Sequence, residues 1–149
     1  MRPTFDYLGN PVRAAGVLLT CGGKTLWRRV KGRYEDMGGK TEPQDTSALD
    51  TAVREAVEES NGKLFHQSHT HVQCADVLRK LLENSETFYN PRAKYLCYVV
   101  EAPRHVRSLS MKRFGRFETT DLIPHYYEWK SYVPRNMHPR LWTIPRRKL

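Results

Sequence analysis

Residues 39–63 read GKTEPQDTSALDTAVREAVEESNGK, and the second half of that stretch decides what the chain can fold into. Leu49, Ala52, Val53, Ala56 and Val57 recur at helical spacing and define one apolar stripe. Thr46 or Ser47 can cap the first free backbone amides, with Asp50 three residues after Ser47 in the manner of a capping box. Asn61-Gly62 tolerates the left-handed conformation in which helices stop. The spacing therefore predicts a helix over residues 46–60. On it Glu55, Glu58 and Glu59 stand at i, i+3 and i+4 and share a face roughly opposite the apolar stripe. Like-charged pairs at these spacings cost an isolated helix roughly 0.2 to 0.5 kcal/mol each. They also sit where the helix dipole disfavours anions. Something cationic should compensate, and hard divalent ions such as Mg2+ or Mn2+ prefer oxygen donors of this kind. The plainer alternative is a solvated acidic face balanced by lysines and arginines elsewhere.

Upstream, residues 14–20 (AAGVLLT) form an apolar run of strand length, and residues 25–30 (TLWRRV) form another. The Gly22-Gly23 pair between them is a hairpin signal, because a two-residue turn needs positive φ. Residues 31–33 read as a loop and residues 34–37 as a short strand that runs into a turn at Gly38-Gly39. Downstream, residues 63–73 are expected to form a strand with polar interruptions, and residues 77–84 a short amphipathic helix. Residues 93–101 (AKYLCYVVE) carry the β-branched and aromatic content of a buried strand, and residues 116–119 (RFET) resemble another. Prolines 124, 134 and 139 restrict any helix in residues 122–142 to a short one or one that begins at a proline.

The 149 residues suit one domain. Cys21, Cys74 and Cys97 are odd in number and lack CxxC spacing, which argues against a disulfide framework or a zinc ribbon. No apolar run reaches the roughly 18 residues of a membrane span, and the first residues lack a secretory apolar core. A cytoplasmic or nuclear protein without a membrane partner is the expectation. The 25 Lys and Arg exceed the 16 Asp and Glu, and a net charge of +9 implies polyanionic partners such as phosphorylated small molecules or RNA. Residues 143–149 form a basic C-terminal tail, which reads either as a solubilising end or as a phosphate contact.

Residues 39–63, with the strand and glycine pair before them, resemble the Nudix box. Its pattern is G, five residues, E, seven residues, then REUxEExGU with U aliphatic. The resemblance implies a single Nudix domain over residues 1–149, an α/β fold of the α/β/α sandwich type with a mixed sheet. It implies that Glu55, Glu58 and Glu59 bind Mg2+ or Mn2+ with the Gly39 carbonyl as a further ligand. It gives Arg54 a structural part, pairing with helix and loop carboxylates, Asp45 among them. The implied activity is attack of water on a diphosphate linkage, with Glu58 and Glu55 as the catalytic carboxylates and Glu58 as the expected base or its orienting group. Members that take the base from a later loop leave Glu86, Glu101 and Glu118 as further candidates. The chain departs from the pattern at Asp45, which is shorter than the box glutamate. The spacing from Asp45 to Arg54 is one residue longer than the pattern, and the stop falls on Asn61-Gly62 with Lys63 at the last aliphatic position.

The box handles a diphosphate but does not select the rest of the substrate. Arg28 and Arg33 around the second strand and Lys40 after the glycines are the expected phosphate contacts, whereas Trp27 suits the core better. Nucleoside or dinucleoside polyphosphates, diphosphoinositol polyphosphates and capped RNA remain open as partners. Tyr89, Tyr126, Tyr127, Trp129 and Tyr132 are available to stack on bases in an mRNA-decapping version. The stretched loop and Asp45 also suit a Nudix-fold module that binds ligand or RNA without catalysis. His66, His69 and His71 lack the cysteine or acidic partner of a zinc site and read as a polar segment.

Overall fold

The computed structural model describes residues 1–109 and 125–149. The class is the expected one, α/β with a mixed sheet. A two-stranded ribbon, β1 (Phe5–Tyr7) and β2 (Asn10–Val12), precedes β3 (Ala14–Cys21), β4 (Lys24–Val30), β5 (Arg33–Glu35) and β6 (Met37–Lys40). After α1 (Ala48–Glu59) and α2 (His71–Leu82) come β7 (Glu86–Asn90), β8 (Tyr95–Glu101) and β9 (His125–Lys130). The larger sheet has the order β5-β4-β3-β8-β7, with β6 on β3 and β9 on β4. Strands β3 and β8 run parallel over the whole of β8, from Ala14↔Tyr95 to Thr20↔Glu101, and the other pairings are antiparallel.

Strand β3 is apolar at nearly every position because both faces of the sheet are covered. Ala15, Val17, Leu19 and Cys21 pack with the helices, against Ala52, Val53 and Ala56 of α1 and Cys74, Leu78 and Leu82 of α2. Leu18 points the other way, into a second cluster with Trp27, Tyr95, Cys97, Leu141 and Ile144. Trp27 is thus a core residue. Residues 137–149 cover this second face through the short 3-10 turns Pro139–Leu141 and Arg146–Lys148. The end of the chain is tied down there: the Thr25 hydroxyl donates to the Leu149 carbonyl at 2.7 Å and Lys148 pairs with Glu86 at 2.9 Å.

Several expectations need correction. Gly38 and Gly39 lie within β6, opposite Gly16 and Ala15, and not in a turn; Asp36 separates β5 from β6. Residues 63–70 contain no strand, and the helix expected at 77–84 begins at His71, capped by Thr70 and Gln73 in a reciprocal capping box. The segment with prolines 124, 134 and 139 holds strand β9 before Pro134, and its described helical turn, Pro139–Leu141, is short and begins at a proline as expected. The expected strand at 116–119, with Glu118, lies outside the described residues. No helix among the described residues is long and apolar enough to cross a membrane.

Candidate functional site

Ser47 caps α1 by accepting from the Asp50 amide at 3.1 Å, and Asp50 in turn accepts from the Thr46 amide at 2.9 Å. The helix ends where Asn61 (φ 54°) and Gly62 (φ 70°) turn left-handed. Its apolar stripe packs against β3 and β6, which aims the residues on one flank along the sheet. Glu55 and Glu59 lie on that flank. Their side chains are only 15% and 12% exposed, whereas Glu58 is 31% exposed. The three carboxylates therefore do not share one solvated face as the helical wheel implied.

Glu55 lies against Gly39 so closely that a β-carbon there would meet its carboxyl, with Cδ at 2.6 Å. Burial raises the titration of Glu55, and the Arg54 guanidinium opposes it. One turn on, Glu59 is pushed well above the usual carboxylate range by burial, with Arg28 opposing and Glu55 adding to the effect. Glu55 and Glu59 are close enough to shift one another, and two carboxylates side by side in a buried place disfavour double ionisation unless a cation neutralises them. Glu59 Oε2 is buried and makes no hydrogen bond, its nearest counter-charge being Arg28 Nε at 3.6 Å.

Two arginines frame this pair. Arg54 grips Asp45 with two parallel bonds of 3.0 Å, Nε to Oδ1 and Nη2 to Oδ2. It also donates to the Lys40 carbonyl at 2.9 Å and to Glu55 at 3.1 Å, and lies 3.2 Å from Glu42 and 3.5 Å from Glu58. Burial alone would raise the Asp45 carboxyl, but Arg54, the Glu42 amide and the Thr51 hydroxyl hold it below the usual range. Arg54 and Asp45 thus tie the loop 41–47 and the end of β6 to the helix. On the sheet side, Arg28 pairs with Glu35 at 2.9 Å and approaches Glu59. The Tyr127 hydroxyl donates to the Glu59 carbonyl.

Of the expected phosphate contacts, Arg28 is beside the glutamates, Lys40 is exposed at the end of β6, and Arg33 is exposed at the start of β5. Glu101 and Glu86 are not near. Glu101 pairs with Thr20, five positions along β3 from Ala15 where Gly39 sits, roughly 17 Å at strand rise. It is engaged by the Thr20 hydroxyl and the Gly22 amide. Glu86 begins β7, beyond β8, and holds Lys148. Glu35 and Glu42 were not foreseen, and Tyr127, expected only as a ring to stack on bases, is instead buried against Glu59. For Glu35 a signal existed: the Lys31-Gly32 turn, both at positive φ, fixes a register in which Arg28 faces Glu35. Tyr127 depended on β9 pairing with β4, a long-range contact with no local mark.

Among the described residues no group of three or more His, Cys, Asp or Glu side chains is arranged to hold a metal ion. The Glu55–Glu59 pair nonetheless fits a Mg2+-like cation, which is commonly bound by one or two carboxylates with waters and substrate phosphates. A buried oxygen without a hydrogen bond and two adjacent buried carboxyls are both relieved by such a charge. A separate cavity of about 400 Å³ lies between α1 and α2, bordered by Val53, Arg54, Val57, Glu58, Val72 and Arg79. It meets the site along Asp45, Arg54 and Glu58.

No family model matches the chain, and no curated protein matches it. Among solved structures it is similar to a bifunctional NMN adenylyltransferase/ADP ribose pyrophosphatase from Francisella tularensis, complexed with AMP and a manganese ion. The identity is 16% and the TM-score 0.41, over 87% of this chain and 36% of that one, so this chain spans about a third of that chain's length. A likeness of that strength says nothing about the site.

Proposed function

We propose that the protein is a Nudix-type hydrolase that uses Mg2+ or Mn2+ to cleave a diphosphate linkage in a nucleotide-type or highly phosphorylated substrate. The observation that supports this best is the pair Glu55 and Glu59, buried side by side against the Gly39 backbone, with one Glu59 oxygen lacking a hydrogen bond. Arg28 Nε, at 3.6 Å, offers that oxygen charge but no hydrogen bond, and a bound cation would complete its surroundings.

In this reading Glu55 and Glu59, with the Gly39 carbonyl, hold the cation. When bound, such an ion neutralises phosphate charge and lowers the pKa of an attached water. Arg28 sets the orientation of the Glu59 carboxylate, and Arg54 that of Glu55. Glu58, the most exposed of the three, accepts the proton of the attacking water as its oxygen bonds to phosphorus and the anhydride P–O bond breaks. Arg28, Arg33 and Lys40 contact the phosphates, and Arg54 with Asp45 keeps the loop in place. The +9 charge suits nucleoside or dinucleoside polyphosphates, diphosphoinositol polyphosphates or capped RNA.

The test is product release, read by chromatography, from a panel of those substrates and ADP-ribose with Mg2+ or Mn2+. Cleavage of one class that falls about a hundred-fold or more in Glu59→Gln and in Glu58→Gln is expected. Unchanged turnover in both variants would overturn the assignment. A second reading, a non-catalytic Nudix-fold binding module, is favoured by one observation: Arg54 and Arg28 already neutralise the three glutamates in part. Ligand binding without cleavage across the panel would decide for it.

A further inference from the structure

We infer that the sheet face turned away from the helices, where β5, β4 and β9 lie side by side, binds single-stranded nucleic acid. The inference is independent of the hydrolase reading, since it concerns the opposite face of β4 from Arg28. Strand register puts Tyr34, Arg29 and Tyr126 in one row across the three strands. Alternation along β9 returns Lys130 to the same face as Tyr126. There the cations and rings interleave: Arg29 Cζ is 5.8 Å from the Tyr34 ring centre, and Lys130 Nζ is 5.0 Å from Tyr34 and 4.9 Å from Tyr132.

The two rings at the ends of this series are open to solvent, Tyr126 at 61% and Tyr132 at 62% exposure. Aromatic rings so exposed at the margins of a basic patch are what successive bases stack upon. Further positive charge gathers at the same corner. Lys31 precedes Gly32, whose carbonyl receives the Asn136 side-chain amide, which brings Arg135 alongside; both cations are exposed. Against them stands Glu128, paired to Lys130 at 3.2 Å and reached by the Tyr34 hydroxyl at 3.5 Å. The excess is positive, which complements a phosphodiester backbone, and the four steps along β9 from Tyr126 to Lys130 span roughly 13 Å, room for two or three nucleotides. A free polyphosphate would satisfy the charges but leave the rings bare. A duplex would hide its bases from them.

Fluorescence anisotropy in EDTA, with a labelled single strand of about 12 nucleotides, tests this. The wild-type protein is expected to bind it more tightly than a duplex of the same length. Tyr126→Ala with Tyr132→Ala should weaken binding about ten-fold or more, and Tyr126→Phe with Tyr132→Phe should retain it to within a few-fold, because the stacking surface survives. Circular dichroism of both double variants checks that the fold is kept. No binding by wild type, equal affinity for the duplex, or an alanine variant that binds as well as wild type would each overturn the inference.

Discussion

Gly38 and Gly39 are neighbours in the same strand, yet a methyl group would act differently at each. At Gly39 it meets the end of the Glu55 side chain, which can swing aside; at Gly38 it meets the Tyr95 hydroxyl and, at 2.8 Å, the backbone of Ala15 and Gly16. Gly39→Ala should therefore unfold within about 1 kcal/mol of wild type in urea while losing about ten-fold or more in turnover of whatever substrate is cleaved. Gly38→Ala should lose about 3 kcal/mol or more, since packed backbone has nowhere to go. Equal stability losses in the two variants would refute this division. Glu59 supplies a second test at this scale. Its carboxyl is raised above the ordinary 4.5 by burial, so the folded state holds the proton more tightly than the unfolded chain. Stability from this group is complete below the unfolded value and is lost as pH rises from there through the raised value. Without metal, Glu59→Gln should thus be more stable than wild type near pH 8, by on the order of 1 kcal/mol, with the gap closing toward pH 5. His138, lowered to about 4 chiefly by burial, runs the opposite way, losing stability as pH falls from 6.5, but it is common to both proteins and cancels in the difference. Urea midpoints across that range measure it, and a variant no more stable than wild type at high pH would sink the account.

The helix α1 was legible almost to the residue, because its stripe, its Ser47 cap and its Asn61-Gly62 stop are all local signals. Strand β6 was not. A glycine pair reads as a turn unless one knows that Glu55 and Tyr95 press against both positions, and those contacts come from elements far along the chain. Which flank of the helix the glutamates occupy was equally hidden, since a helical wheel gives angles but not the position of the sheet. The Arg54–Asp45 pairing could be anticipated from the resemblance, one-residue slip included, because both groups flank the same loop. That loop's fixation depends on one guanidinium. Arg54→Lys keeps the charge but cannot make the two parallel bonds to Asp45 or reach the Lys40 carbonyl as well. It should cost about 2 kcal/mol, appear as faster proteolysis within residues 41–47, and lower turnover through misplacement of Glu55. Wild-type proteolysis in that loop would show that the helix holds it without Arg54.

At the scale of the whole molecule, the sheet has helices on one face and residues 137–149 on the other, and the two sides are joined through the short link between β5 and β6. Asp36 sits in that link, 1% exposed, with its carboxylate held by Arg140 at 2.7 and 3.0 Å and by the Tyr95 hydroxyl at 2.5 Å. Arg140 also stacks over the Tyr95 ring at 4.6 Å. Nothing local in the sequence marks this pair, because its partners lie 104 residues apart and neither belongs to a periodic pattern. The pair nonetheless fixes where β6 begins, and with it Gly39 and Glu55. Removing one partner of a buried pair leaves the other charged and unpaired, which generally costs about 3 to 5 kcal/mol, whereas removing both can be nearly neutral. Arg140→Met should therefore destabilise the protein by that amount, and Asp36→Asn in the same chain should recover a large part of it. If the two losses simply add in urea unfolding, the pair is not a coupled unit, and the C-terminal segment must be held by Leu141, Ile144 and its bonds to Thr25, Glu86 and Asn90. Recovery of stability would mean that a charge pair behind the sheet positions the strand that faces the helix.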